Sequence, residues 1–232
     1  MVTFLPFPGY RPALRGGEKI SERISPPYDV IGDAYLKELQ SDPHNVTRLT
    51  LMPDAGKRYR NARQELDQWI SEGYLKQDTD SFYLYEQTFD DNGTRRVRTG
   101  LVGILRTEPY ENGSVIPHEE TFSKVKEDRL NLLRDMETHL ESIFGIFEGL
   151  SDALGRRIAD EARLVYRFVD GDGVEHRFHR IADAEICSAI TEELKGQRML
   201  IADGHHRYET ALNYSLENPG DERKGFVLAT LV

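Results

Sequence analysis

The chain has 232 residues, enough to bury a sizeable core as one large or two small domains. Its hydrophobic content of 38% and aromatic content of 9% exclude a disordered chain, and its formal net charge of -10 excludes broad electrostatic binding to nucleic acid or to an anionic membrane. The single cysteine, Cys187, excludes a disulfide framework within the chain and is typical of a reducing compartment.

No apolar run reaches the roughly 18 residues of a membrane span, and the N-terminus lacks the charged leader and apolar core of a signal peptide. The sequence therefore predicts a folded cytoplasmic protein without a membrane partner. It leaves the oligomeric state open.

Residues 1–31 contain five prolines and a Gly16-Gly17 pair, so little regular structure is predicted there. Two of these prolines, in the motif SPPYDVI (25–31), restrict the backbone that leads to Asp29. Because a rigid loop of this kind holds a carboxylate in place, Asp29 is a candidate catalytic residue. The alternative is that Asp29 caps a helix predicted over residues 33–40.

The next stretch contains a predicted strand and a predicted helix. Residues 45–52 (NVTRLTLM) alternate and are rich in β-branched side chains, which indicates a strand. From Tyr59 to Ile70 apolar residues recur at helical spacing, and Gly73 follows them as a helix-ending glycine would. A subdomain boundary is predicted near residue 80.

Two further strands are predicted over residues 81–89 and 95–107, with Asn92-Gly93 between them. Asn-Gly between two β-rich runs is a strong signal for a hairpin. Three arginines begin the second strand, at positions 95, 96 and 98. They are interpreted as a solvated hairpin face rather than as a nucleic-acid patch.

Residues 116–133 (IPHEETFSKVKEDRLNLL) combine acidic, basic and histidine side chains at high density. Glu119 precedes a predicted helix, on which Lys126 and Arg129 supply positive charge. The triplet His118-Glu119-Glu120 does not match the helical zinc motif, because that motif places its two histidines four residues apart on one face.

The rest of the chain alternates between helices and strands. Helices are predicted over 153–162 and 182–194, and strands over 142–147, 164–169, 175–181 and 225–232. The run Asp170-Gly171-Asp172-Gly173 is interpreted as a turn, because it lacks the spaced ligands of a calcium loop. These elements predict an α+β fold with a mixed sheet, hairpins and flanking helices. A single compact unit over 1–232 is expected, and the end directly after a strand predicts the N-terminal part of a longer protein.

The segment 198–209 (RMLIADGHHRYE) concentrates more chemistry than any other. A predicted buried strand ends at Asp203, a tight turn follows at Gly204, and a predicted helix begins with two histidines and Arg207. The first turn of a helix presents unpaired N–H groups and a partial positive charge, so it suits an anion such as phosphate. The alternative is that Asp203 caps this helix and the histidines make ordinary surface hydrogen bonds.

Several blocks of the sequence resemble the bacterial and archaeal family of conserved proteins catalogued as domain-of-unknown-function family 1015. In order, they are SPPYDVI at 25–31, NVTRLTL at 45–51, YLYEQTF at 83–89, IPHEETFSKVKEDRLNLL at 116–133, SIFGIFE at 142–148 and IADGHHRYETAL at 201–212. Because these blocks span nearly the whole chain, the resemblance is specific. It also implies a longer full-length protein.

The DGHHR turn is similar to the signature of the ParB/sulfiredoxin-like superfamily, which includes partitioning proteins, sulfiredoxins and ADP-dependent free-serine kinases. In those proteins the equivalent strand–turn–helix holds nucleotide phosphates. By position, the resemblance implies that Asp203 lies beside the transferred group or its magnesium and that phosphate is held by Gly204, His205, His206 and Arg207. His205 occupies the position of the sulfiredoxin cysteine, so redox activity is not implied.

Together these features predict a nucleotide-binding protein that acts as a kinase-like phosphotransferase on a small hydroxyl metabolite. The expected cofactors are a nucleotide (ADP, ATP or CTP) and Mg²⁺, the latter held by Asp203 or Glu209. Lys126 and Arg129 would add positive charge. The candidate catalytic carboxylates, which would position or deprotonate the acceptor, are Asp29, Glu119 and Asp203.

Two alternatives stay open at this point. A nucleotide-dependent switch or interaction module of ParB type would bind nucleotide without metabolic turnover, and the lack of a helix-turn-helix argues against direct nucleic-acid binding by this part. A metal-dependent hydrolase would use Asp203 and the two following histidines together with His118 or Glu119. Adjacent histidines point in different directions, which disfavours their binding one ion.

Overall fold

The structure is a computed structural model that describes residues 2–52, 58–119 and 123–232, apart from the side chains of residues 29 and 123–126. The helices are α1 (Asp33–Leu39), α2 (Thr47–Thr50), α3 (Arg58–Ser71), α4 (Ser123–Met136), α5 (Asp152–Glu161), α6 (Ala184–Leu194) and α7 (His205–Glu217). The strands are β1 (Phe4–Leu5), β2 (Tyr10–Pro12), β3 (Leu75–Gln77), β4 (Phe82–Asp91), β5 (Thr94–Arg106), β6 (Val115–Ile116), β7 (Ile143–Ile146), β8 (Arg163–Val169), β9 (Glu175–Ile181), β10 (Met199–Asp203) and β11 (Phe226–Leu231).

One large sheet dominates the described part of the chain, with strand order β6-β10-β7-β11-β5-β4-β9-β8 and with β1 paired to β5. The pairs β10–β6 and β11–β7 are parallel, whereas the β4–β5, β4–β9 and β8–β9 pairs are antiparallel. Strands β2 and β3 form a separate two-stranded sheet. The predicted α+β fold with a mixed sheet, hairpins and flanking helices is confirmed.

The chain divides into two compact units. The first comprises Met1–Gly9, Thr79–Leu130 and Ser142–Val232, and the second comprises Tyr10–Asp78 and Asn131–Glu141. The large sheet and helices α5, α6 and α7 belong to the first unit, whereas α1, α2 and α3 belong to the second.

Each unit has its own hydrophobic core. In the first, α6 buries Ile186, Ile190 and Leu194, which recur at helical spacing and therefore lie on one face of the helix. That core also contains Phe4 and Phe82, whose rings stack at 5.4 Å between centroids. The second unit has a smaller core, formed by Leu49, Ala62, Leu66, Trp69 and Met136.

The hairpin predicted at Asn92-Gly93 is confirmed. Strands β4 and β5 pair in continuous register from Tyr83 opposite Val102 to Asp91 opposite Thr94. Asn92 and Gly93 have φ angles of 52° and 83°, the left-handed conformation that a two-residue turn of this type requires at both positions.

The strand predicted over residues 45–52 is wrong, because this region contains the short helix α2. Asn45 is buried, and its Oδ1 atom accepts hydrogen bonds from the backbone N–H and the hydroxyl of Thr47. Its side-chain amide donates to the carbonyl oxygens of Glu22 and Ile24. These local and long-range hydrogen bonds override the β-propensity of the segment.

Within the described residues, every helix is too short or too polar to cross a lipid bilayer.

We predict that Gly145→Ala destabilises the fold by about 1–3 kcal/mol, the usual cost of overpacking. A Cβ atom at this position of β7 would lie 2.5 Å from Met199 Sδ and 2.9 Å from Leu231 Cδ2, both in the core. Chemical denaturation of the wild type and the variant measures the change in the free energy of unfolding.

Gly155→Ala is the matched control, since Gly155 lies on α5 with no atom within 4 Å of an added Cβ. That variant should gain up to about 1 kcal/mol, because alanine has the higher helix propensity. Equal effects of the two substitutions would contradict the packing argument.

Candidate functional site

The candidate site is built around the junction between β10 and α7. Strand β10 ends at Asp203, and Gly204 is the N-cap of α7 with a φ angle of 91° and a ψ angle of 28°. An added Cβ at Gly204 would lie 3.1 Å from Ile143 Cγ2 and 3.1 Å from Arg207 Cζ. Glycine is therefore favoured here by its tolerance of the left-handed conformation and by its small size.

Asp203 and Arg207 form an ion pair across this junction. The Nη2 atom of Arg207 donates to Asp203 Oδ2 at 2.6 Å, and its Nη1 atom donates to the carbonyl oxygen of Ser142. The N-cap of α7 is Gly204, and in the described residues the Asp203 carboxylate accepts from Arg207 rather than from the backbone of the first turn, so the alternative in which Asp203 caps the helix is wrong. The strand–turn–helix instead presents a carboxylate and a guanidinium that already neutralise each other in part.

His205 is the buried residue of the site, with only 2% of its surface exposed. The backbone N–H of His118 donates to His205 Nε2 at 3.3 Å, and the two imidazole rings meet edge to face at 4.6 Å between centroids. Glu119 Oε2 lies 3.8 Å from His205 Nδ1. The segment that carries the predicted catalytic residue Glu119 therefore reaches the predicted phosphate turn.

The hydrogen bonds assign the protons of both imidazoles. His118 Nδ1 lies 2.6 Å from the carbonyl oxygen of Ile201, which can only accept, so Nδ1 carries the hydrogen and Nε2 the lone pair in neutral His118. His205 Nε2 accepts from a backbone N–H, so the hydrogen of neutral His205 is on Nδ1, facing Glu119.

The pKa of His205 lies below the ordinary value of a histidine. Burial is the largest cause, and the neighbouring His118 lowers the pKa further, whereas Glu119, Asp203 and Glu209 raise it. His205 is therefore neutral over a wider pH range than an exposed histidine. Of these three carboxylates, Glu119 is the one within 4 Å of the ring among the contacts described.

The first turn of α7 is fixed to the segment that follows β5. Tyr208 donates its hydroxyl to the carbonyl oxygen of Glu108 at 2.8 Å and accepts from the backbone N–H of the same residue at 3.0 Å. Tyr110 stacks on Tyr208 at 5.4 Å, and its hydroxyl lies 3.5 Å from Glu209 Oε1. Burial raises the pKa of Tyr208 to about 12, so the hydroxyl remains a donor.

Of the predicted metal ligands, Asp203 ends β10 and pairs with Arg207, and Glu209 lies on α7 with its Oε1 atom 3.5 Å from the Tyr110 hydroxyl. Among the residues described by the structure, no group of three or more His, Cys, Asp or Glu side chains is placed to hold a metal ion. Magnesium is commonly held by only one or two carboxylates, with substrate phosphates and water as the remaining ligands. Asp203 and Glu209 have the chemistry of such ligands, and each already contacts a protein partner, Arg207 and Tyr110 respectively.

The other predicted site residues lie on α7, on α4, or at positions whose side chains the structure does not describe. His206 is half-buried at the second residue of α7. Arg129 lies on α4, where it forms an ion pair with Asp128 at 2.7 Å. The side chains of Lys126, also on α4, and of Asp29 lie outside the described residues.

Asp29 belongs to the second unit, in a 3₁₀ turn formed by Tyr28–Val30. The N-cap of α1 is Gly32. The alternative in which Asp29 caps this helix concerns a side chain outside the described residues and stays a prediction. The structure brings Glu119, His205 and Arg207 together within the first unit. The role of Asp29 stays a prediction.

His118 is the residue that the sequence interpretation missed. The sequence predicts His118 only as a metal ligand of the hydrolase alternative. In the structure, its backbone and its ring both contact the β10–α7 junction. Its position next to Glu119 was the available signal. No sequence pattern indicated the tyrosines that anchor α7, because Tyr110 and Tyr208 are far apart in sequence and stack only in the folded chain.

Residues 4–232 match the model of the family described as Protein of unknown function (DUF1015). The chain therefore belongs to this family, as the blocks of similar sequence predicted. Comparison with curated proteins and with solved structures gave no match.

We predict that acidification destabilises the fold in part through His205. Because burial lowers its pKa in the folded state below the ordinary 6.5, the unfolded chain binds more protons just below that pH. This contribution is complete above about pH 6.5 and is lost as the pH falls toward the folded pKa. Chemical denaturation from about pH 8 down to about pH 5 measures the loss.

His205→Gln is the test variant, because the Gln side-chain oxygen can replace Nε2 as the acceptor for His118 N–H without titrating. Its stability relative to wild type at about pH 8 gives the packing change, since histidine is neutral in both states there. The remaining pH dependence should be smaller than in wild type but not zero, because burial also lowers the pKa of His44. An unchanged pH dependence would contradict the assignment.

Proposed function

We propose that this DUF1015 protein binds nucleotide phosphate at the start of α7 and acts as a kinase-like phosphotransferase on a small hydroxyl metabolite. The observation that carries the proposal is the contact of His118 and Glu119 with buried His205, beside the Asp203–Arg207 ion pair. This convergence supplies phosphate donors and proton acceptors within one part of the first unit.

The start of α7 supports phosphate binding. The helix has 13 residues and no side-chain cap, so its first N–H groups and its dipole favour an anion. Arg207 supplies a guanidinium whose five donors suit phosphate oxygens. Its ion pair with Asp203 would be exchanged, at least in part, for bonds to the nucleotide ADP, ATP or CTP.

His118 is the proton acceptor that the geometry favours. Its Nδ1–H is held by Ile201, so the Nε2 lone pair is available to a substrate hydroxyl. In the proposed step, the acceptor oxygen bonds to the terminal phosphorus, the bridging P–O bond to the nucleotide breaks, and the hydroxyl proton moves to Nε2. Glu119, Asp203 and Asp29 are the alternative proton acceptors.

Magnesium would neutralise charge on the phosphates during this step. Asp203 and Glu209 would hold it together with phosphate oxygens and water. Since Asp203 Oδ2 also bonds to Arg207, metal binding to Asp203 and phosphate binding to Arg207 would each break the same ion pair, so each would favour the other.

The ParB/sulfiredoxin-like relationship inferred from the DGHHR turn supports the same placement of phosphate. It also supports the second candidate function, a nucleotide-dependent switch or interaction module without turnover. The Asp203–Arg207 ion pair favours this alternative specifically, because a nucleotide that takes Arg207 would release Asp203 and the carbonyl of Ser142. Nucleotide binding without phosphoryl transfer to any hydroxyl compound tested would favour the switch over the phosphotransferase.

We predict that Arg207→Ala weakens nucleotide binding by about 1.5–3 kcal/mol, the usual scale for a lost charge-assisted hydrogen bond. Calorimetry with ADP, ATP and CTP, with and without Mg²⁺, measures the change. Arg223→Ala is the matched control, because the Arg223 side chain is 89% exposed and pairs with Asp221. Equal affinity of wild type and Arg207→Ala would remove the phosphate role of Arg207.

We predict that His118→Asn lowers the rate of phosphoryl transfer by about 10²–10⁴ and leaves the affinity for nucleotide nearly unchanged. The Asn amide can still donate to the carbonyl of Ile201, but the basic Nε2 atom is lost. Phosphorus NMR with a panel of hydroxyl metabolites measures the rate. A normal rate in this variant would show that His118 is not the proton acceptor. The variants Glu119→Gln and Asp29→Asn would then test the two carboxylates in the same assay.

A further inference from the structure

A second cluster of hydrogen-bonded side chains lies on the large sheet of the first unit. The hydroxyl of Tyr85, on β4, lies 2.6 Å from His176 Nδ1, on β9. His176 Nε2 lies 2.9 Å from Asp170 Oδ2, in the turn that joins β8 to β9. His176 is only 7% exposed, so both of its nitrogens are used by protein partners in a nearly dry environment.

Further contacts fix the positions of Asp170 and His176 in this hydrogen-bonded network. The second carboxylate oxygen of Asp170, Oδ1, accepts hydrogen bonds from the backbone N–H groups of Asp172 at 3.0 Å and Val174 at 2.9 Å. The His176 ring stacks on Phe168 with 4.4 Å between centroids and an interplanar angle of 4°. The turn predicted over residues 170–173 is confirmed, and its first aspartate orients a buried histidine.

An arginine lies beside this chain on the same face of the sheet. Arg98, Gln87, His176 and Phe168 are register partners across β5, β4, β9 and β8, so their side chains project from one face. Arg98 donates to Gln87 Oε1 from Nε at 3.0 Å and from Nη2 at 2.7 Å. Its guanidinium also lies over the ring of Phe144, 5.6 Å from the centroid.

The partners of Arg98 are all uncharged. Gln87 and Phe144 orient its guanidinium, and among the residues that the structure describes no carboxylate forms an ion pair with it. Arg98 is exposed, and the chain carries a net charge of -10. An oriented and uncompensated guanidinium in an acidic protein is a candidate group for binding an anion.

Tyr85 is a half-buried neighbour of Arg98 on the same face of the sheet. Gly100 lies directly opposite Tyr85 on β5, which places Arg98 diagonally from the phenol. Burial raises the pKa of Tyr85 to about 12, and Arg98 opposes that effect. The phenol is therefore protonated at neutral pH and close enough to Arg98 to share a ligand.

The protonation of His176 decides which way the Tyr85 hydroxyl points. When His176 is neutral, Nε2–H donates to Asp170 and Nδ1 accepts from the Tyr85 hydroxyl, whose outward lone pairs repel an anion. When His176 is protonated, Nδ1–H donates to the Tyr85 oxygen, and the hydroxyl hydrogen is free to donate outward. Asp170 Oδ2 lies 2.9 Å from Nε2 and accepts its hydrogen in both forms.

We propose that Arg98 and Tyr85 form a binding site for a small oxyanion, a carboxylate or a tetrahedral sulfate- or phosphate-like group, and that binding is coupled to the uptake of one proton by His176. The proton comes from solvent and is held between Tyr85 and Asp170. Phe144, which lies under the Arg98 guanidinium, is the register partner of Asp203, so the site adjoins the β10–α7 junction. It does not depend on the proposed phosphotransferase activity.

Among the described residues, the charged side chains that face His176 are Asp170 and Arg98. Asp170 from the turn and Tyr85 from β4 bond to it, Arg98 from β5 faces it across Gln87, and β8 contributes uncharged Phe168. Its neighbours on β9, Glu175 and Arg177, project from the opposite face and pair with each other at 2.9 Å. An anion bound to Arg98 places a negative charge on the face of the sheet that carries His176.

The test is an NMR titration of the isotopically labelled chain with sodium sulfate, against sodium chloride at equal ionic strength. Sulfate keeps its charge over the pH range in which histidine titrates, and the chloride reference removes general screening. We expect sulfate to shift the Arg98 side-chain resonance and to move His176 toward the imidazolium form. Above the titration of His176, the affinity should fall by up to about tenfold per pH unit, the slope for one coupled proton.

Sodium acetate is the second probe and separates planar from tetrahedral oxyanions. Tyr85→Phe keeps the ring and removes the hydroxyl, so it should weaken binding of the preferred anion and abolish the pH dependence. Arg98→Gln should abolish binding. Arg95→Gln is the control and should change neither, because Arg95 projects from the opposite face and pairs with Glu175 at 3.2 Å.

Wild-type His176 and Arg98 resonances that respond to neither anion would overturn the proposal, whatever the variants show. Shifts confined to residues 204–207 would also overturn it, while supporting an anion site at the start of α7. Equal binding by Tyr85→Phe and wild type would exclude the coupling to His176. Each of these results is distinguishable from failure of nucleotide binding, because no nucleotide is present.

Discussion

The left-handed conformation of Gly204 is the constraint on which the candidate site depends. It turns the chain from β10 into α7 within one residue, and an added Cβ would lie only 3.1 Å from Ile143 Cγ2. Because the turn is so tight, Asp203 and Arg207 meet across it, while His205 points into the protein. The same turn leaves the start of α7 without a side-chain cap, and this is where an anion is stabilised best.

The features that the sequence predicted well are those set by local chemistry. The Asn92-Gly93 hairpin follows from the backbone preferences of its two turn residues, and α6 follows from apolar residues at helical spacing. The strand–turn–helix at 199–217 was predicted for the same reason, since an apolar run, a glycine and a helical pattern succeed one another. Membership of the family rested on blocks along the whole chain, and it is confirmed.

Features that depend on long-range contacts were not predictable in this way. Residues 45–52 have the composition of a strand, but buried Asn45 bonds to a distant loop and a short helix forms. His118 meets His205 across 87 residues of sequence, and Tyr85 meets His176 across 91. The hydrophobic periodicity of the sequence cannot predict such contacts, because they depend on strand order and register in the mixed sheet.

The central claim is that the start of α7 binds nucleotide phosphate beside His118 and His205. Amide NMR of the wild-type chain, titrated with ADP, ATP and CTP in the presence of Mg²⁺, tests it most directly. The account predicts saturable shifts that are largest at residues 204–207 and at His118, with further changes at Ser142 as Arg207 exchanges its partners. The absence of saturable shifts with all three nucleotides, or shifts that leave residues 204–207 unchanged, would contradict it.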